Sequence, residues 1–304
     1  MKGIYAERSP LYQISILVAT MFVGFFFSQI INVIIFASTS ADGFENIGET
    51  LFNQPVWVLQ TTQFIAAVCT FLLPAVVTAW FCSNHPKTYL SIGAFPDIRI
   101  LAIVCLATLL LSPTISLTSY FNSQIQLPEA MEALEIWIRE TEEVAEAMIQ
   151  KMVSETSVVT FIINLIVIAV VAGVTEEFLF RGALLQIIRQ KIQNHHVAIW
   201  AVAIIFSAIH LQFYGFIPRM ILGAFLGYLV YWTKNIWVPV FAHFFHNAIA
   251  VIGMSSASLK DNAFFTDDLA SEDIKWLSII SCICLIAFVY CLKFIRRGVK
   301  SHIE

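Results

Sequence analysis

The stretch Val174-Thr175-Glu176-Glu177-Phe178-Leu179-Phe180-Arg181 decides how the rest of the chain is interpreted. It places two adjacent carboxylates and an arginine inside a hydrophobic segment that begins near Phe161 and resumes after Gly182. A charged side chain at the centre of a membrane-spanning helix costs roughly 2.5 to 3.5 kcal/mol. Because three such residues lie within six positions, the stretch predicts a functional site inside a membrane.

The composition of the whole chain also indicates a membrane protein. Of its 304 residues, 59% are hydrophobic and 12% are charged, and the mean hydropathy is +0.80. A soluble domain has about 25% charged residues. We therefore predict an all-α, polytopic membrane protein with a polar cavity in its helix bundle. The chain has no basic stripe, which argues against nucleic-acid binding.

About eight segments are apolar over roughly the 20 residues that a transmembrane helix needs. The predicted spans are residues 12–37, 56–81, 98–121, 158–188, 196–210, 216–232, 236–254 and 276–294. The fifth and seventh are short, so we expect their ends to extend into the neighbouring loops. The predicted parts are a three-span region (1–123), an acidic extramembrane helix (124–156), a core with the polar motifs (157–254), and an acidic loop, last span and basic tail (255–304).

The distribution of lysine and arginine predicts the orientation of the chain. Basic residues lie at both ends and in every second loop, with Lys2 and Arg8 at the start and Lys293, Arg296, Arg297 and Lys300 in the tail. The intervening loops are acidic or neutral, with Asp42, Glu45 and Glu49 in one and Asp261, Asp267, Asp268, Glu272 and Asp273 in another. Since basic loops stay in the cytoplasm, both termini are predicted to be cytoplasmic.

The long segment between the third and fourth spans reads as an amphipathic helix from Pro128. Its apolar residues recur at helical spacing, and glutamates occupy the other faces. The apolar positions are Met131, Leu134, Ile138, Ala145, Met148 and Met152. Two interpretations stay open. The helix packs its apolar stripe on the bundle, or it forms a lid or a partner-binding surface.

If the charged stretch is helical, its residues are expected to have two different roles. Glu177 and Arg181 are four residues apart and share a face, so we expect an ion pair between them. Glu176 lies about 100° away around the helix axis. A carboxylate in an apolar site is suited to act as a general base. In the alternative interpretation, all three residues form a structural network between helices.

Two further apolar segments carry polar residues at depth. His210 ends Phe206-Ser207-Ala208-Ile209-His210, and His243 and Asn247 lie one helical turn apart, with His246 near the same face. A lone histidine near a helix end is usually structural, but the depths of these residues in their spans agree roughly. We therefore expect Glu176, His210 and His243 to converge.

In order and spacing, Glu-Glu-x-x-x-Arg, Phe-x-x-x-His and His-x-x-x-Asn resemble the motifs of the CPBP family of intramembrane proteases. This family includes CAAX prenyl endopeptidases and bacterial bacteriocin-immunity (Abi) proteins. The resemblance covers roughly Val158 to Ala250 and implies a catalytic core there. It implies that Glu176, His210, His243 and Asn247 are catalytic, with Glu177, Arg181 and Phe206 supporting them. His246 matches no motif position.

The resemblance implies an intramembrane endopeptidase that cleaves membrane-associated peptides or proteins, set in the lipid bilayer of a bacterial cytoplasmic membrane. We expect no metal cofactor, because Glu176 cannot easily be both a ligand and a general base. Zinc held by Glu176, His210 and His243 is the alternative. A non-catalytic immunity or scaffold protein with the same fold also stays open. A proton-coupled transporter is a third reading, although the sequence shows no internal repeat.

Overall fold

The computed structural model describes residues 2–39, 54–155, 157–256 and 271–300, and these residues form helices and no strands. The helices are α1 (Pro10–Thr39), α2 (Val56–Cys82), α3 (Pro86–Tyr89), α4 (Ile98–Ser123), α5 (Glu132–Ser154), α6 (Val158–Lys191), α7 (His195–Ala208), α8 (Phe216–Thr233), α9 (Trp237–Ser255) and α10 (Ser271–Lys300). The predicted all-α fold is confirmed. The predicted acidic loop residues Asp42, Glu45, Glu49, Asp261, Asp267 and Asp268 lie outside the described residues.

Seven of the described helices are long and apolar enough to cross a membrane, and α7 is a shorter apolar helix. Helix α9 has 19 residues, but α7 has only 14. The predicted extension into the loops is therefore wrong for the seventh span, since α9 (Trp237–Ser255) is no longer than the predicted 236–254, and for the fifth, since α7 is shorter than predicted. The start of α7 is fixed by the Asn194 side chain, which accepts hydrogen bonds from two backbone amides. Beyond its end, Leu211 has a left-handed backbone with φ of 56°, which a helix cannot continue through.

The surface of α1 is typical of a helix in lipid. Phe22, Phe26 and Ile30 are exposed, whereas Ser28 and Asn32 are buried. Exposing large apolar side chains to water is unfavourable, while small and polar residues are favoured where membrane helices meet. The chain is an integral membrane protein. The predicted cytoplasmic location of both termini stays a prediction.

The helices form two compact units. The first unit comprises Met1–Ile92 and Glu146–Lys191, which contain α1, α2, α3, the end of α5 and all of α6. Inside it, α1 approaches α2 closely at Gly24. A Cβ atom added there would lie 1.9 Å from the carbonyl oxygen of Cys69, in a π-helical part of α2 at Val68–Leu72. Only glycine permits this contact.

The second unit comprises Gly93–Ala145 and Ile192–Glu304, which contain α4, the first part of α5 and α7 to α10. Its apolar core joins α4, α8, α9 and α10. For example, the rings of Phe225 and Phe288 meet edge to face with centroids 5.3 Å apart. The four-part division made from the sequence is untested and stays a prediction.

Candidate active site

Helix α6 carries the charged stretch between two π-helical segments, Leu165–Val171 and Phe178–Leu184. Glu176 and Glu177 end the α-helical turn between them, Ala172–Glu177. A π-helical turn closes on the fifth residue and changes which side chains face a neighbour, and such turns are frequent at functional sites. The π-helical geometry thus marks the same stretch that the sequence singles out.

Glu177 and Arg181 form the predicted ion pair. Arg181 Nη1 donates to Glu177 Oε1 at 2.7 Å, and both side chains are 0% exposed. In a buried pair each charge compensates the other, so removing one partner is far more damaging than removing both. This pair fixes the turn of α6 that also carries Glu176, which is half-buried.

Amide side chains form hydrogen bonds near both ends of α6 within the first unit, buried near its start and partly exposed near its end. Near its start, Gln60 Nε2 donates to Asn164 Oδ1 at 2.8 Å, and Asn164 Nδ2 donates to the Met152 carbonyl at 2.6 Å. Near its end, the side chains of Gln13 and Gln190 exchange two hydrogen bonds of 3.2 and 3.1 Å. In lipid, such bonds are specific because the alternative is an unsatisfied polar group.

The histidine of the second motif lies just beyond α7, in the second unit. His210 Nδ1 lies 2.7 Å from the carbonyl oxygen of Phe206. Because a carbonyl only accepts, Nδ1 carries the proton, and the neutral ring has its lone pair on Nε2. The short contact therefore selects the tautomer that can accept a proton at Nε2.

Phe206 links the second and third motifs. Its ring meets that of His210 with centroids 5.1 Å apart and that of His243 with centroids 6.1 Å apart, both edge to face. His243 is buried on α9. One aromatic ring thus packs against both imidazoles, and the supporting role of Phe206 stays a prediction.

A cavity of about 240 Å³ in the second unit holds part of the predicted site. Its lining residues come from α4, α7, the loop between α7 and α8 (residues 209–215), α8 and α9. They are Ile115, Ser119, Phe206, His210, Gly215, Pro218, Arg219, Leu222, His246 and Asn247. The structure therefore brings His210 and Asn247 to one cavity, with Phe206 between the helices. A volume of this size can hold several waters or a short stretch of peptide.

The region with this geometry matches a known family. Residues 158–249 match the family described as type II CAAX prenyl endopeptidase, Rce1-like. The chain carries an Rce1-like segment. The resemblance predicted from the three motifs is confirmed.

The chain is also similar to a curated protein, the uncharacterized protein YpbD of Bacillus subtilis (strain 168). The two are 30% identical over 90 residues, which is 28% of this chain and 43% of YpbD. The match thus spans less than half of that relative's length. No solved structure matches the chain. The comparisons support a CAAX-type intramembrane protease fold.

The structure places two residues at the cavity that the sequence interpretation left out. His246 lines the cavity beside Asn247, although it matches no motif position. Arg219 lines it as well, and its Nη2 donates to Gln212 Oε1 at 2.6 Å. Two features of the sequence could have indicated these residues. His246 is three residues from His243, and Arg219 is a lone arginine inside a predicted span.

The predicted catalytic residues come from both compact units. Glu176, Glu177 and Arg181 belong to the first, and His210, His243 and Asn247 belong to the second. Within each unit, the described residues contain no group of three His, Cys, Asp or Glu side chains that could hold a metal ion. The alternative zinc set takes its ligands from both units and stays a prediction, as does the convergence of Glu176 with the histidines.

Proposed function

We propose that this protein is an intramembrane endopeptidase that hydrolyses peptide bonds of membrane-associated peptides or proteins. One observation carries the proposal. His210 and Asn247, from two motifs separated by a whole helix, line the same cavity inside a unit of apolar helices. The Rce1-like match over residues 158–249 supports the same reaction class.

The reaction needs a nucleophilic water and a stabilised oxyanion. In the proposal, Glu176 takes a proton from water with the help of His210, whose Nε2 is the accepting nitrogen. The water oxygen attacks the carbonyl carbon. His243 and Asn247 then donate hydrogen bonds to the developing oxyanion, and the C–N bond breaks as a proton passes to the leaving amine.

The supporting residues hold these groups in place. Glu177 and Arg181 fix the turn that carries Glu176, since their ion pair is fully buried. Phe206 packs against both imidazole rings. We propose a bacterial cytoplasmic membrane as the setting, with both termini cytoplasmic, and substrates that reach the site from that side or laterally.

The proposal is tested with the full chain in nanodiscs and a library of bilayer-embedded peptides that carry a fluorophore and a quencher. Wild type is expected to cleave members of the library, and Glu176→Gln is expected to fall to background. Asn247→Ala is expected to lower kcat by about 10²- to 10³-fold, the usual effect of losing one oxyanion donor. Glu143→Gln makes the same chemical change at an exposed position of α5 and serves as control.

Three outcomes contradict parts of the proposal. Equal cleavage by wild type and Glu176→Gln removes Glu176 as the base. The absence of any cleavage by wild type contradicts the endopeptidase and favours a non-catalytic membrane protein. We also propose that no resident metal takes part, so a cleavage rate abolished by a zinc chelator and restored by added zinc contradicts the metal-free mechanism.

A further inference from the structure

The segment 209–215, here called the α7–α8 loop, forms part of the cavity wall. It carries two of the lining residues, His210 and Gly215, and a third, Arg219, is held by Gln212 of the same loop. Leu211 adopts a left-handed backbone inside it. A residue other than glycine keeps such a conformation only when its surroundings hold it there. The loop therefore needs external contacts to stay in place.

Helix α5 supplies one set of these contacts through Tyr214, which is 8% exposed. Glu142 Oε1 accepts a hydrogen bond of 2.8 Å from the backbone amide of Tyr214. The Tyr214 hydroxyl donates to Glu135 Oε1 at 3.3 Å, and the Arg139 guanidinium lies 4.5 Å from the centre of the Tyr214 ring. We call Glu135, Arg139 and Glu142 the α5 clamp.

The three members of the α5 clamp follow helical spacing and support each other. Residues four and seven positions after Glu135 lie on its face. Arg139 donates two hydrogen bonds of 3.0 and 2.7 Å to Glu135 Oε1, and this contact lowers the pKa of Glu135. Burial raises the pKa of Tyr214, so its hydroxyl stays a donor at neutral pH.

A second contact holds the loop independently of α5. The side chain of Asn122, at the end of α4, donates to the Phe213 carbonyl at 2.8 Å and accepts from the Ile217 amide at 2.9 Å. Loss of the α5 clamp therefore leaves the α7–α8 loop attached. What changes is its position, because Tyr214 and the backbone next to it are no longer held.

We propose that Glu135, Arg139 and Glu142 are positioning residues for peptide-bond hydrolysis, acting through Tyr214 to hold His210 at the cavity. The inference rests on the proposed function for its catalytic consequence. None of the three side chains is among the residues that line the cavity, so their effect on the reaction passes through the α7–α8 loop. The acidic helix, although extramembrane, thereby becomes part of the catalytic apparatus.

The experiment uses the full chain in nanodiscs and compares Glu142→Ala, Glu142→Gln and the control Glu143→Ala. Hydrogen exchange of the peptide 209–216 is read by mass spectrometry, and kcat and KM come from the quenched-peptide assay. In Glu142→Ala, exchange at the Tyr214 amide is expected to rise roughly 10- to 100-fold, as for a lost hydrogen bond to a charged acceptor. Glu142→Gln keeps an acceptor oxygen and is expected to recover most of the protection.

The kinetic constants distinguish a role in positioning His210 from a role in binding the substrate. In Glu142→Ala, kcat is expected to fall about tenfold, because a displaced catalytic group loses its geometry, while KM stays within about twofold. The rate of His210 modification by diethyl pyrocarbonate is expected to change in Glu142→Ala and not in Glu143→Ala. Tyr214→Phe, which removes only the bond to Glu135, is the milder second variant if Glu142→Ala does not fold.

Each outcome decides the inference. Unchanged exchange at 209–216 in Glu142→Ala overturns the clamp whatever the enzymatic activity. Faster exchange with unchanged kcat, in a protein that Glu176→Gln inactivates, overturns the positioning role. If wild type cleaves no probe, the proposed function and the catalytic role of the clamp fail together. In that case exchange and His210 modification still establish or overturn the structural clamp.

Discussion

Replacing Arg181 by leucine is expected to destabilise the protein far more than the same change at Arg139. Each arginine pairs with a glutamate four residues earlier, and the nitrogen–oxygen distance is 2.7 Å in both pairs. The pairs differ in burial. Arg181 and Glu177 are both 0% exposed, whereas Arg139 and Glu135 are 46% and 19% exposed. The chain thus contains its own matched control.

The expected loss of unfolding free energy depends on the burial of each ion pair. Removing one partner of a buried ion pair costs about 3 to 5 kcal/mol, because the other charge is left without compensation. Replacing both partners by apolar residues of similar size is often neutral or stabilising by about 1 to 4 kcal/mol. The double variant Glu177→Leu/Arg181→Leu is therefore expected to be at least as stable as wild type. At Arg139, water screens the remaining charge, so the loss is expected to be small.

The assay is the free energy of unfolding in mixed micelles, followed by far-ultraviolet circular dichroism as the fraction of denaturing detergent rises. It compares Arg181→Leu, Glu177→Leu, the double variant and Arg139→Leu. Equal losses in Arg181→Leu and Arg139→Leu refute the argument from burial. A double variant that loses the sum of the two single losses shows that the two charges do not compensate each other.

Three further predictions follow from other contacts. The pKa of Glu135 is lowered from its ordinary 4.5 by Arg139, so its stabilisation is full above that value and is lost as pH falls through the folded-state pKa. The difference in melting temperature between wild type and Glu135→Gln should be present at pH 7 and vanish once the pH is below the folded-state pKa of Glu135, which is itself below the ordinary value. Gly223→Ala puts a Cβ 3.0 Å from the Phe206 ring, whereas Gly227→Ala meets Ile199 at 2.8 Å. Each should cost about 1 to 3 kcal/mol by overpacking, and the peptide assay should show the larger loss of kcat for Gly223→Ala. Gln60→Leu removes a donor from buried Asn164 and should lower the unfolding free energy by about 1 to 3 kcal/mol in the detergent titration, with a smaller loss for Gln190→Leu at an exposed position.

The helices that cross the membrane were predictable because an apolar segment of about 20 residues is typical of a transmembrane helix. The end of α7 was not, since Leu211 has no local signal for a left-handed backbone. Its conformation depends on the contacts of the α7–α8 loop with α4 and α5. The π-helical segments of α6 were also missed, because the i to i+5 pattern comes from packing and not from residue type.

The motif residues were predictable for an energetic reason. A polar side chain inside an apolar segment is costly without a partner, so Glu177, His243 and Asn247 stand out in sequence. The ion pair of Glu177 followed from spacing alone and is confirmed. His246 did not follow, since positions three and four residues apart share one face of α9 and spacing cannot choose between them. The cavity includes His246 and Asn247 together.

Helix α5 shows most clearly what a sequence pattern leaves undecided. Its predicted apolar stripe is buried at Ile138 and Met152 but exposed at Met131 and Leu134. Apolar packing at Ile138 therefore explains only part of how the first half of the helix is held. There the contacts are polar, from Glu135, Arg139 and Glu142 to one tyrosine. In sequence Glu135 and Glu142 are indistinguishable from the exposed glutamates beside them, because a glutamate that accepts a hydrogen bond and one that faces water are the same residue type. The position of Tyr214 selects Glu135, Arg139 and Glu142 from the other polar residues of the acidic helix, and that position depends on contacts distant in sequence.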